Sequence, residues 1–266
     1  MRKKILLWSC LLLMMGTTMA QETERQNQWR HNVYIELGPK FTSHYSPDLS
    51  HFRPTGGYGS YIYVDSKLRT WQASARYELV TPNQHWGLRT GLQYSLCKKQ
   101  LGYDALTPDE LHLMNYEPQY YLFEVNNSEQ LEYLRLRGIE QISHYLGVPL
   151  ELRYYFTYSD LSSFRWYFSA EADLDFLVGN ANTVNFLSEE MATYAEQVYS
   201  HYDNPDSFMA SAYLGAGFQV GKPNHIGVGF NWLLHLADFG GTTGMLQAKP
   251  NFAGSKLQIE LVIPIK

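Results

Sequence analysis

Few residues of this chain have both the type and the spacing for chemistry. Glu171, Asp173 and Asp175 stand two apart, so an extended strand puts their carboxylates on one face. Carboxylates so spaced could share acid and base roles. Set opposite Arg76, Arg89 and Arg153, the same three acids would instead form a neutralised network, because buried charge has to be paired. Two Ser-His steps, Ser143-His144 and Ser200-His201, are candidates for the nucleophile and base of a lipase or acyltransferase. Neighbours on a strand point to opposite faces, so Ser143 and His144 cannot be each other's partner. The nine histidines show no spacing that sets two of them on one helix face as metal ligands. The run Gly240-Gly241-Thr242-Thr243-Gly244 has no following Lys-Ser/Thr, so it reads as a flexible loop and not as a phosphate cradle. The sequence therefore predicts no catalytic residue, no cofactor and no metal.

The elements that carry these residues have a two-residue period. In 144–156, Leu146, Val148, Leu150, Leu152, Tyr154 and Phe156 alternate with Gly147, Pro149, Glu151 and Arg153. In 86–97, Trp86, Leu88, Thr90, Leu92, Tyr94 and Leu96 alternate with Gly87, Arg89, Gly91, Gln93, Ser95 and Cys97. Trp71, Ala73, Ala75, Tyr77 and Leu79 oppose Gln72, Ser74, Arg76 and Glu78. Trp166, Phe168, Ala170, Ala172, Leu174 and Phe176 oppose Arg165, Ser169, Glu171, Asp173 and Asp175. Residues 32–41, 208–220, 225–237 and 255–265 behave alike. This is the pattern of strands whose two faces see different solvents, and none of the quoted apolar rows holds Asp, Glu, Lys or Arg.

The N-terminus places the chain outside the cytoplasm. Arg2-Lys3-Lys4, an apolar run from Ile5 to Met15, and small residues Thr18 and Ala20 predict a signal peptide over 1–20. A short periplasmic segment over 21–31 and a barrel over 32–266 follow. Without the three signal-peptide bases the mature chain is more acidic than the −5 of the full sequence, which argues against nucleic acid. Cys97 is the only cysteine after the signal peptide, so no internal disulfide or cysteine metal cage can form. Connections alternate in length. Short ones at 81–85, 157–163 and 221–224 are rich in turn residues, and long ones are expected at about 42–69, 98–143, 179–207 and 238–254. Outer-membrane barrels have short periplasmic turns and long outer loops.

Volume decides which face is inside. An eight-stranded barrel is just wide enough for its own side chains. The row with Trp71, Trp86, Trp166, Phe168 and Phe176 is too bulky for that space, whereas Gly87, Gly91, Gly147, Gly215 and Gly217 on the other face leave room for long Arg and Glu. The prediction is an all-β, eight-stranded antiparallel up-and-down transmembrane β-barrel with a polar lumen. Both termini are expected in the periplasm. The lumen is expected to hold a structural network of Arg76, Glu78, Arg89, Glu151, Arg153, Glu171, Asp173 and Asp175.

Tyr145-Leu146-Gly147-Val148-Pro149-Leu150-Glu151-Leu152-Arg153-Tyr154 resembles the Tyr-Leu-x-Ile/Val-Pro-Leu-x-x-Lys/Arg-Tyr strand of the PorT-like outer-membrane β-barrels of Bacteroidota. The resemblance implies the same barrel and an envelope location. It carries no activity: the family's named member is associated with type IX secretion, and a strand motif does not transfer that role.

Function is expected from the loops. Tyr58, Tyr61, Tyr63, Tyr116, Tyr120 and Tyr121 cluster in two of them, and tyrosine gives large contact area at small entropic cost. They would either bind a partner or pack a cap over strands that outrun the membrane. Thr107-Pro108-Asp109-Glu110 reads as a helix start, as does Ser188 with the acids after it. The leading expectation is a non-enzymatic structural, binding or envelope-assembly component. Its expected partners are outer-membrane lipid and lipopolysaccharide, the barrel-insertion machinery and an unidentified envelope protein. The alternatives are a lipid-modifying enzyme and a narrow channel.

Overall fold

The computed structural model describes residues 29–41, 45–47, 50–53, 66–102, 120–126, 131–156, 163–202, 204–222, 225–239, 246–248 and 254–265. The expected signal peptide, the Thr107–Glu110 helix start, and Tyr58, Tyr61, Tyr63 and Tyr116 lie outside these residues. Among those described, the strands are β1 (Arg30–Phe41), β2 (Tyr45–Pro47), β3 (Phe52–Arg53), β4 (Ser66–Val80), β5 (Trp86–Gly102), β6 (Tyr121–Asn126), β7 (Leu131–Tyr155), β8 (Phe164–Phe186), β9 (Phe208–Val220), β10 (Gly227–Phe239), β11 (Leu246–Ala248) and β12 (Ser255–Ile265). A 3-10 turn over Glu189–Tyr194 leads into a short helix α1 (Ala195–Tyr199).

The ring runs β1–β4–β5–β7–β8–β9–β10–β12 and closes where β12 pairs with β1, every junction antiparallel. Closure leaves no unpaired edge, which is what a sheet in hydrocarbon requires. Among the described residues no helix is long and apolar enough to cross a membrane. The predicted parity holds around the ring. Trp71, Leu88, Leu92, Phe168, Phe176 and Ile259 are exposed on the outside, while Arg76, Arg89, Gln93, Glu151, Arg153 and Glu171 are buried inside. Gly147 and Gly217 have the expected use: a β-carbon there would stand 2.0 Å from the Asp175 carboxylate and 2.3 Å from the Tyr167 hydroxyl, so only glycine leaves those side chains their space.

Parts of two of the expected loops are wall. Strand β5 continues to Gly102, β7 starts at Leu131, and β8 continues to Phe186, so 98–102, 131–143 and 179–186 are paired strand. The alternation does not stop there; its polarity reverses. On β5 the outward row passes from Leu92, Tyr94 and Leu96 to Lys98 and Gln100, and the inward row from Arg89, Gln93 and Ser95 through Cys97 and Lys99 to Leu101. On β7 the outward residues of this upper part are Arg135, Arg137 and Glu140, and the inward ones are Leu134, Leu136 and Ile139. Here β6 pairs with the start of β7 and β3 pairs with β6, so the same sheet continues at this rim past the end of β5. At the opposite rim the described turn Thr81–Trp86 is closed by Thr81 N to Trp86 O at 2.8 Å and Gln84 N to Thr81 O at 2.8 Å.

Candidate functional site

The membrane-height lumen is a web of charge. Arg76 on β4 donates from Nη1 to Glu171 Oε2 at 2.8 Å and to Glu151 Oε2 at 3.1 Å, and its Nε lies 2.7 Å from Glu36 Oε2. Arg89 on β5 donates to Glu151 Oε2 at 2.6 Å, to Glu260 Oε1 at 3.2 Å and also to Glu36. Arg153 on β7 donates to Glu151 Oε1 at 2.8 Å and to Glu260. Lys256 on β12 reaches Glu171 Oε1 at 2.5 Å, Asp173 Oδ2 at 2.9 Å and Gln93 Oε1 at 3.2 Å. Guanidinium faces complete the packing: Arg89 lies 3.9 Å from the Tyr34 ring centroid and Arg153 3.9 Å from that of Tyr167. Side chains from β1, β4, β5, β7, β8 and β12 thus meet in one buried cluster, so each ion pair also cross-links distant strands.

The network differs from the expected one at three points. Glu78 is not held by arginine. It accepts from Asn32 Nδ2 at 2.8 Å, Tyr34 OH at 2.6 Å and Tyr155 OH at 2.5 Å, all neutral donors near the turn rim. Asp175 takes Gln93 Nε2 at 3.4 Å and not an arginine. Asp173 is matched to Lys256, so a lysine and not an arginine is the base beside it. Lys256, Glu36 and Glu260 were absent from the predicted set. Lys256 was legible all the same, because it shares inward parity with Gln258 and Glu260 on β12.

The chemistry available here is narrow. Each network carboxylate accepts from the cations, amides or tyrosine hydroxyls just named, and the side chains are almost wholly shielded. Neither Ser-His step forms a dyad. Ser143 points inward and donates to Asn180 Oδ1 at 3.1 Å, while His144 points outward to the Tyr94 hydroxyl at 2.6 Å. Ser200 Oγ donates to Gln197 O at 2.7 Å, and His201 Nδ1 bonds the same carbonyl at 2.7 Å. The predicted start stands where expected: Ser188 is the N-cap of a 3-10 turn that begins at Glu189, with Glu189 and Glu190 in its first turn, although Ser188 makes no side-chain cap hydrogen bond.

Above the charges sits an apolar cluster of Phe52, Leu101, Tyr121, Phe123, Val125, Leu134, Leu136, Ile139 and Val198, against which Val184, Phe186, Tyr194, Tyr199 and Tyr202 pack. Tyr121, expected as a contact residue, is 3% exposed and belongs to this core. Tyr120 is half-buried, with the Arg135 guanidinium 5.3 Å from its ring centroid. Of the tyrosines expected to bind, the two within the described residues pack at the rim.

Comparison with known proteins agrees with this architecture. Residues 19–239 match the family model described as outer membrane protein beta-barrel domain. The fold is similar to the outer membrane protein OprG from Pseudomonas aeruginosa (12% identity, 90% of this chain and 98% of that one, TM-score 0.40). It is also similar to Neisserial surface protein A (12% identity, 88% and 96%, TM-score 0.36) and to the N-terminal β-barrel domain of Pseudomonas aeruginosa OprF (11% identity, 90% and 100%, TM-score 0.32). No curated protein sequence matches the chain. With a match that spans most of its length, the chain belongs to the outer membrane protein beta-barrel domain family and resides in the outer membrane.

Proposed function

We propose that this barrel is a closed, non-enzymatic anchor that holds a folded rim outside the cell, with its termini and short turns in the periplasm. The observation that carries the reading is the double filling of the interior. Arginine–carboxylate pairs occupy the membrane-height lumen, and an apolar core lies above them at the long-strand rim. An eight-stranded barrel has little width to spare, so such a filling interrupts any continuous water path. The folded rim, with its β3–β6 pairing and α1, is the part proposed to meet a partner. The fourth wall strand supports a further proposal, that the chain is a PorT-like barrel and an envelope-assembly component. Planar-bilayer recording of the purified protein tests the closed state: no steady conductance is expected, and reproducible channels would overturn it.

A further inference from the structure

We infer that the outward face of β4, β5 and β7, just past the hydrophobic belt at the long-strand rim, binds the phosphate groups of an anionic glycolipid of the outer leaflet. The inference rests on the orientation proposed above, in which that rim faces outside. Three observations point to it. Arg69 lies directly opposite Lys98 in the β4–β5 register. Like charges directly opposite one another destabilise a strand pair, and an anion between them removes that cost. Lys98 is only partly neutralised, by Glu140 at 2.8 Å, and Glu140 also accepts from Gln100 at 2.7 Å. Among the described residues Arg69 and Arg137 have no ion-pair partner, and both are exposed.

The second observation is depth. The outward residues Trp71, Leu96 and His144 lie side by side across the β4–β5–β7 register. One outward position further stand Arg69 and Lys98. Aromatic residues mark the hydrocarbon boundary of such barrels, so the cations stand where headgroups begin. The third is asymmetry. On β8 the outward residues at the heights of Ile142 and Glu140 are Ala181 and Thr183, which carry no charge. The positive charge therefore stops at the β7–β8 junction. Directly below it run Trp71, Leu92, Tyr94 and Leu146, a row that suits acyl chains of the same molecule. Guanidinium groups bind phosphate with two parallel hydrogen bonds, and a ligand with both phosphate and acyl chains satisfies the patch and the row together.

The test uses the full-length protein refolded in detergent and titrated with deep-rough lipopolysaccharide that carries both lipid A phosphates. Its dephosphorylated form, phosphatidylglycerol and inorganic phosphate are the comparison arms. The phosphorylated glycolipid should bind most tightly. Arg69→Gln with Lys98→Gln should weaken it about thirtyfold and Arg137→Gln about fivefold, from the contribution of each basic residue at a lipid surface. Lys222→Gln, at the opposite rim, should leave it unchanged. Heat-dependent gel mobility confirms that each variant is folded. Unchanged binding by the double variant, or equal binding of the dephosphorylated form, overturns the site. Equal uptake of phosphatidylglycerol overturns the glycolipid, and full competition by inorganic phosphate overturns a lipid source. Labelling of Ser200→Cys in a Cys97→Ser background on intact cells by an impermeant maleimide reads the orientation separately. A label without glycolipid binding sinks the site alone, and binding in detergent without a label sinks the orientation alone.

Discussion

Between the belt marked by Trp86 and the one marked by Trp71, the interior of this barrel holds Arg76, Arg89, Arg153, Lys256 and their carboxylates. A few residues further along the same strands it holds Leu101, Leu134, Leu136 and Phe123. The outer surface changes in the opposite sense at the same place, from Leu92 and Tyr94 to Lys98 and Gln100 on β5. The difference comes from the solvent. At membrane height the surroundings are as apolar as leucine, so an apolar interior would gain nothing over the outside, and polar side chains are driven inward to find one another. Past the belt the surroundings are water. Apolar burial is again favourable there, at roughly 1.5–3 kcal/mol for a fully buried large side chain. One strand can serve both solvents because its two faces are independent; only the identity of the buried face has to switch.

The change expected to be largest attacks the lumen. Arg89→Ala leaves Glu36, Glu151 and Glu260 short of a shared cation, and breaking a buried network this way costs about 3–5 kcal/mol. Reversible urea unfolding in lipid vesicles should show it as a global loss. Next comes the outer surface at mid-height. Leu92→Arg should cost about 2–4 kcal/mol, as a base at the bilayer midplane does. The same arginine at Gln100, past the belt, should leave the unfolding midpoint unchanged; an equal penalty at both sites would place the belt wrongly. In the rim core, Leu136→Ala should cost about 2–3 kcal/mol, near the lower end for a buried leucine. Its effect should stay local. Limited proteolysis should open the rim between β5 and β7, while heat-dependent mobility of the barrel stays unchanged. Should the global midpoint fall as it does for Arg89→Ala, the two regions form a single cooperative unit. Smallest is the belt itself: Tyr94→Phe removes the hydrogen bond to His144 and should cost about 1 kcal/mol or less, read from the same urea curves.

The period-two pattern was enough to fix the wall, because a strand in lipid tolerates no charge on its outer row and the rows from Trp71, Trp86, Leu146 and Trp166 obey that without exception. The inward direction of Arg76, Glu151 and Glu171 followed from the same parity. The rim was less legible. In Leu134-Arg135-Leu136-Arg137 the alternation persists, but its charges sit where lipid-facing residues were expected, so it read as loop. Residues 98–102, 131–143 and 179–186 are strand there, beside an apolar cluster that also draws on β6 and α1, and only the tertiary structure brings those segments together. Partners within the lumen were also beyond the sequence. Parity says that Glu78 and Lys256 point inward. Whether a carboxylate meets arginine, lysine or tyrosine depends on which strands face one another across the ring, and that is decided by closure and register. So Glu78 rests on Tyr34 and Tyr155, and Asp173 on Lys256. The sequence by itself determined the solvent on each side of the wall, since that is a one-residue property repeated along a strand. The pairings inside and the core above them belong to the tertiary structure, because both depend on residues far apart in the chain meeting across a closed ring.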